Sequence, residues 1–138
     1  RFTQRLIAFR QHHPILRQRR FLHSRERPAD GLPDLFWWRA DGDMMEEGDW
    51  RREGPLCAEL RMASDTPFYA ETEVAIYLIF NRGKACEVVL PPTPEPRAWR
   101  LAIDTSLADG GSADRTCRGR IAVPAASVLA LVLERADG

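Results

Sequence analysis

The chain has 138 residues, 44% of them hydrophobic and 29% charged, and its 20 basic residues balance its 20 acidic ones. That length makes one ordinary domain with or without a short appendage, and the composition argues against disorder. Zero net charge removes the field that would steer the chain to nucleic acid or an anionic membrane, and no apolar run reaches the ~18 residues of a membrane span, so neither partner is expected.

Residues Phe2 to His12 read as a short helix, with Phe2, Leu6 and Phe9 (and Ile7 beside them) at helical spacing and Arg1, Arg5 and Arg10 on the other side. Pro14 stops this helix and starts a new turn at Ile15 to Arg19. One short amphipathic helix cannot bury its own stripe, so it must pack on something else. After Pro28 the texture becomes β-like. Leu35 to Arg39 is aromatic-rich and runs into the turn Ala40-Asp41-Gly42. Leu56 to Met62 alternates, with Leu56, Ala58, Leu60 and Met62 on one face and Cys57, Glu59 and Arg61 on the other, as a half-buried strand does. Val74 to Phe80 is nearly continuously apolar and is the expected central strand. Cys86 to Leu90, Trp99 to Ile103, Arg120 to Val123 and Ser127 to Leu133 follow. The last of these has a helix-compatible composition, but Val128, Val132 and the turn at Pro124 favour a strand. About seven short strands with this spacing imply a mainly β fold: a Greek-key-like, antiparallel two-sheet sandwich preceded by a short N-terminal α-helix.

The chemistry-bearing residues are sparse. His12, His13 and His23 carry no metal spacing, and no GxSxG nucleophile motif is present. Asp41 to Asp49 is acidic but departs from a calcium loop: Met45 stands at a ligand position, Glu46 where the glycine belongs, and Arg52 where the closing glutamate belongs. Gly110-Gly111-Ser112 lacks the lysine of a phosphate loop. Cys57, Cys86 and Cys117 are odd in number and have no CxxC pair, so reduced thiols in a cytoplasmic protein are expected rather than a disulfide framework or zinc site. Lys84 is the only lysine among 20 basic residues, and eight arginines from Arg1 to Arg27 crowd the front. Arginine forks suit carboxylate or phosphate partners, but acidic residues follow at once and the sum is neutral. The acidic pairs Asp41/Asp43 and Glu46/Glu47 lie in turns, where solvation keeps both members ionised. No catalytic residue, cofactor or metal is therefore assigned. Trp37 and Trp99 stand at strand positions where core packing is the default, which leaves Trp38 and Trp50 as possible sugar-stacking surfaces. The opening Arg1-Phe2-Thr3 has neither an initiator methionine nor an apolar leader, as expected of a piece of a longer protein.

Taken in order, these residues resemble a known family. Leu6-Ile7-Ala8-Phe9-Arg10 with His13-Pro14-Ile15-Leu16-Arg17 and Phe21 resembles the helix that closes the catalytic barrel of isoamylase-type glycogen debranching enzymes. Asp34 to Gly42, then Met45 and Asp49-Trp50, resembles that family's Trp-xxx-Asp-Gly-xx-Met-xxx-Asp-Trp segment, starting at Trp37. Leu78 to Asn81, Leu90-Pro91, Trp99, Asp104-Thr105 and Ala125 to Leu129 match further on. Ala40, Asp43-Met44 and Arg82 depart from the usual pattern. The resemblance implies a parent in the α-amylase superfamily that hydrolyses α-1,6 branch linkages in glycogen or limit dextrin. It also implies that the catalytic carboxylates lie in an upstream (β/α)8 barrel. Residues 1–27 are then the terminal barrel helix and connector, with Phe2, Leu6 and Phe9 packing on the barrel. Residues 28–138 are the C-terminal sandwich, inactive alone, with that barrel as its partner. A glucan-binding module or a stand-alone interaction domain is the alternative.

Overall fold

The computed structural model describes residues 2–17, 35–48, 54–61, 73–93, 98–107 and 115–134. Helix α1 (Phe2–His12) is followed by a 3-10 turn, Pro14–Arg17. Eight strands follow among the described residues: β1 (Leu35–Trp38), β2 (Leu56–Leu60), β3 (Glu73–Asn81), β4 (Cys86–Val89), β5 (Trp99–Asp104), β6 (Thr116–Cys117), β7 (Arg120–Val123) and β8 (Ser127–Glu134). The two-residue β6 is an addition to the seven strands expected. The boundary between residues 27 and 28, together with Asp49, Trp50 and Gly110 to Ser112, lies outside the described residues.

Six strands form one antiparallel sheet in the order β1-β2-β3-β8-β5-β6, and β4 pairs antiparallel with β7 in a second, two-stranded sheet. The expected central strand β3 lies between β2 and β8, and β8 in turn pairs with β5. The run from Ser127 is a strand rather than a helix. A one-residue irregularity between Leu101 and Ile103 bends β5.

The large sheet is buried on its inner face and, around Ile76, on part of its outer face, which is why β3 reads as a continuous apolar run. Its inner face meets the small sheet in a core of Cys57, Tyr77, Ile79, Trp99, Leu101, Leu129 and Leu131 with Val88, Ile121 and Val123. Trp99 is fixed there: its Nε1 donates to Pro91 O at 3.1 Å, and its ring lies 5.6 Å from that of Tyr77. Its outer face is capped at one end by the 3-10 turn, whose Ile15 and Leu16 cover Ile76, Leu60 and Leu78. In β2 it is therefore Cys57, not the Leu56/Ala58/Leu60 row, that points into the intersheet core. Glu59 and Arg61 share that inner side and are buried as an ion pair at 2.8 Å.

Candidate functional site

The first hairpin is built around one ion cluster. Arg39 N donates to Asp43 O at 2.7 Å and Gly42 N donates to Arg39 O at 3.1 Å, which closes a three-residue turn over Ala40, Asp41 and Gly42. Such turns need a left-handed residue at their third position, and Gly42 supplies it with φ 91°. Arg39 Nε donates to Asp41 Oδ1 at 3.1 Å, while its Nη2 donates to Asp41 Oδ2 at 2.6 Å and to Asp43 Oδ2 at 3.1 Å. Asp43 N also donates to Asp41 Oδ1, at 3.0 Å. The hydrogen bond from Arg39, then that from the Asp43 backbone, holds the Asp41 carboxyl below the usual aspartate range. Two further contacts anchor the hairpin. Met45 N donates to Trp37 O at 3.1 Å, and Val89 N donates to Ala40 O at 2.8 Å, tying the turn to the second sheet.

The ends of β3 and β8 meet this hairpin through a second knot. Asn81 is 4% exposed, and its Nδ2 donates to Lys84 O and Pro124 O, both at 3.0 Å. Its Oδ1 accepts from Gly83 N at 3.1 Å, and Ser127 Oγ donates to Pro124 O at 2.6 Å. Beside it, Thr105 Oγ1 accepts from Val128 N at 2.8 Å, and Asp104 Oδ1 accepts from Ser106 N at 2.9 Å and Ser106 Oγ at 2.6 Å. The side-chain bonds of Asn81, Asp104 and Thr105 therefore brace turns. They present no free polar cluster.

Hairpin and knot enclose an open concavity of about 820 Å³ on the uncapped end of the outer sheet face. Its floor includes Leu56, Phe80 and Val128, and its rim Arg39, Asp41, Met45 and Arg82. Asp41, Met45 and Asn81 come together here, joined through the hairpin by Trp37 and Gly42, whereas Trp99 lies in the core. The tandem tryptophans divide opposite to expectation. Trp38 pairs with Cys57 and packs on the inner core, and Trp37 pairs with Ala58 on the outer face. The exposed aromatic ring in the concavity is Phe80, 41% exposed. A strand alternation that puts Ile79 inside puts Phe80 outside, so its position was readable, but not that the outer face ends there uncovered.

On α1, Leu6 is 36% and Ile7 51% exposed, while Phe9 packs its ring 4.4 Å from that of the buried His13. His12 Nδ1 donates back to Ala8 O at 2.7 Å, a local bond at the helix end. Glycoside hydrolysis by paired carboxyls needs one of them protonated near neutral pH. Asp41 is the only carboxylate among the described residues lining the concavity, and its pKa moves the wrong way for a general acid.

The described residues thus form an antiparallel β-sandwich joined to an N-terminal helix, with a braced hairpin beside an open concavity. The chain is 27% identical over 111 residues to an isoamylase of Flavobacterium sp, a match covering 80% of this chain and 14% of that protein. It is 29% identical over 108 residues to isoamylase 3, chloroplastic, of Oryza sativa subsp. japonica, covering 78% of this chain and 11% of that one. Pullulanase from Bacillus acidopullulyticus shares the fold, with TM-score 0.56 and 16% identity over 95% of this chain and 13% of the pullulanase. No family model matches the chain. The resemblance to isoamylases thus holds over about four-fifths of this chain, which spans only about an eighth of the length of those relatives.

Proposed function

We propose that this chain is the non-catalytic C-terminal β-sandwich of a debranching enzyme that hydrolyses α-1,6-glucosidic linkages, and that it packs on and stabilises that enzyme's upstream catalytic barrel. The observation that carries this reading is the pair of isoamylase matches, which cover about four-fifths of the chain and a small part of each relative. Asp41, held ionised by Arg39 and with no second carboxylate among the described residues lining the concavity, supports the non-catalytic part. The barrel contact falls to α1, whose Leu6 and Ile7 remain outside the sandwich core while the following 3-10 turn, through Ile15, is anchored on the outer face of the large sheet. Cytoplasmic glycogen or limit dextrin is the substrate proposed for the parent.

The test compares the isolated chain with the full-length parent in a reducing-sugar assay on glycogen. The parent releases reducing ends and the isolated chain does not; turnover by the isolated chain above blank defeats the assignment. In the parent, Leu6→Ser with Ile7→Ser lowers the barrel's thermal midpoint while leaving the isolated sandwich's unfolding nearly unchanged.

A further inference from the structure

The concavity has features that a supporting role does not use. Phe80 stands in the same outer row of β3 as Ile76 and Leu78, which lie under the 3-10 turn, yet its ring is open to solvent. Leu56 and Val128 stand opposite that ring on the neighbouring strands, so the floor is apolar. The rim is polar and stiff. The Asp41 carboxylate is locked by Arg39 and by the Asp43 amide, with two donors on Oδ1 and one on Oδ2. An ionised carboxylate accepts about four hydrogen bonds, so one lone pair remains for an incoming donor. Arg82 adds an exposed fork of donors at the same rim.

This chemistry selects its ligand. A bound anion would meet the Asp41 carboxylate, and a bound cation would meet the guanidinium groups of Arg39 and Arg82. A purely apolar partner would desolvate the ion cluster without replacing its water contacts. An uncharged, polyhydroxylated ring avoids all three costs: its C–H face lies on the phenyl ring, one hydroxyl donates to Asp41, and another accepts from Arg82. We infer that the concavity is a surface subsite for a short stretch of α-glucan chain, seated on Phe80 and held by Asp41 and Arg82. The choice of α-glucan among polyhydroxylated chains rests on the debranching reading above.

The 138-residue chain is titrated with maltohexaose and, separately, with cellohexaose, following amide shifts by NMR. Saturable shifts with maltohexaose are expected around Asp41, Phe80 and Arg82. Phe80→Ala and Arg82→Ala each weaken binding about tenfold, the scale of one lost aromatic or charge-assisted contact, with the thermal midpoint retained. Phe80→Tyr keeps the ring and keeps binding, and Ile7→Ala on α1 binds as the unaltered chain does. No shifts at about 10 mM sugar, a Kd too weak to matter for a surface subsite, overturns the site, as does binding indifferent to both Phe80→Ala and Arg82→Ala. Equal affinity for cellohexaose overturns the α-glucan assignment. A parent that debranches glycogen while its sandwich fails this titration removes the subsite alone. Phe80-dependent maltohexaose binding in a protein whose reading frame encodes no hydrolase removes the debranching reading alone.

Discussion

Replacing Gly42 by alanine tests whether the first hairpin is locked to the second sheet. A Cβ built on Gly42 would lie 2.8 Å from Val89 Cγ1 and 3.2 Å from Val89 Cβ, both inside ordinary contact. The backbone φ of 91° adds a conformational cost, about 1–2 kcal/mol for a residue with a side chain in left-handed space. Crowding a packed side chain adds about 1–2 kcal/mol more. The expected loss is therefore about 2–4 kcal/mol, which for a domain of this size lowers the thermal midpoint by roughly 7–14 °C. Urea unfolding followed by tryptophan fluorescence measures it. The double change Gly42→Ala with Val89→Ala separates the two causes, because it relieves the clash and leaves the backbone cost. The pair should be less destabilising than the sum of the single changes by about 1 kcal/mol or more. A single-mutant loss under about 0.5 kcal/mol, or strict additivity in the cycle, would refute the contact argument, since surface changes without such contacts fall in that range.

Asn81→Ala removes three hydrogen bonds at the β3–β8 knot and should cost about 2–3 kcal/mol in the same urea assay, and Asn81→Asp should do no better because two backbone carbonyls face its donor nitrogen. Arg39→Gln should raise the Asp41 pKa toward the ordinary aspartate value in a carboxyl NMR titration; because the folded value is depressed, the stabilisation from this group is present above the ordinary aspartate pKa and disappears as pH falls through the folded one. Unmoved titration would mean that Arg39 is not the cause. Burial pushes the Cys57 thiol up to about 11, so native protein at pH 8 should be alkylated at half-buried Cys86 long before Cys57, as peptide mapping by mass spectrometry would reveal. The same raised value predicts stability that is intact below the thiol's ordinary pKa of about 8.5 and declines as pH rises toward 11.

Much of the fold was legible because local and tertiary signals agree. Helix α1 runs from Phe2 to His12 as its spacing and Pro14 require, and the apolar run of β3 is central as expected. Strand β6 escaped because two residues, Thr116 and Cys117, carry no periodicity at all. Which side of β2 faces the intersheet core is not readable from its alternation, for a physical reason. Alternation identifies the core face only when the other face is wet, and here Ile15 and Leu16 cover part of the outer one. The buried Glu59–Arg61 pair was visible as opposite charges two apart on one strand face, yet nothing local says that face turns inward. Trp37 and Trp38 had to diverge, and only the cross-strand register, Trp38 opposite Cys57, decides which goes inside. The concavity was the least legible part, since it forms where β1, β2, β3 and β8 end together.

The order in which the chain is synthesised bears on the position of β8. This strand, eighth in sequence, is inserted between β3 and β5, so neither of those strands has its full complement of partners until residues Ser127–Glu134 exist. An emerging polypeptide that stops short of them exposes two bare strand edges and the apolar side chains of the unfinished core, a form prone to aggregation and capture by proteases. Among the described strands, only a chain that includes β8 closes the large sheet.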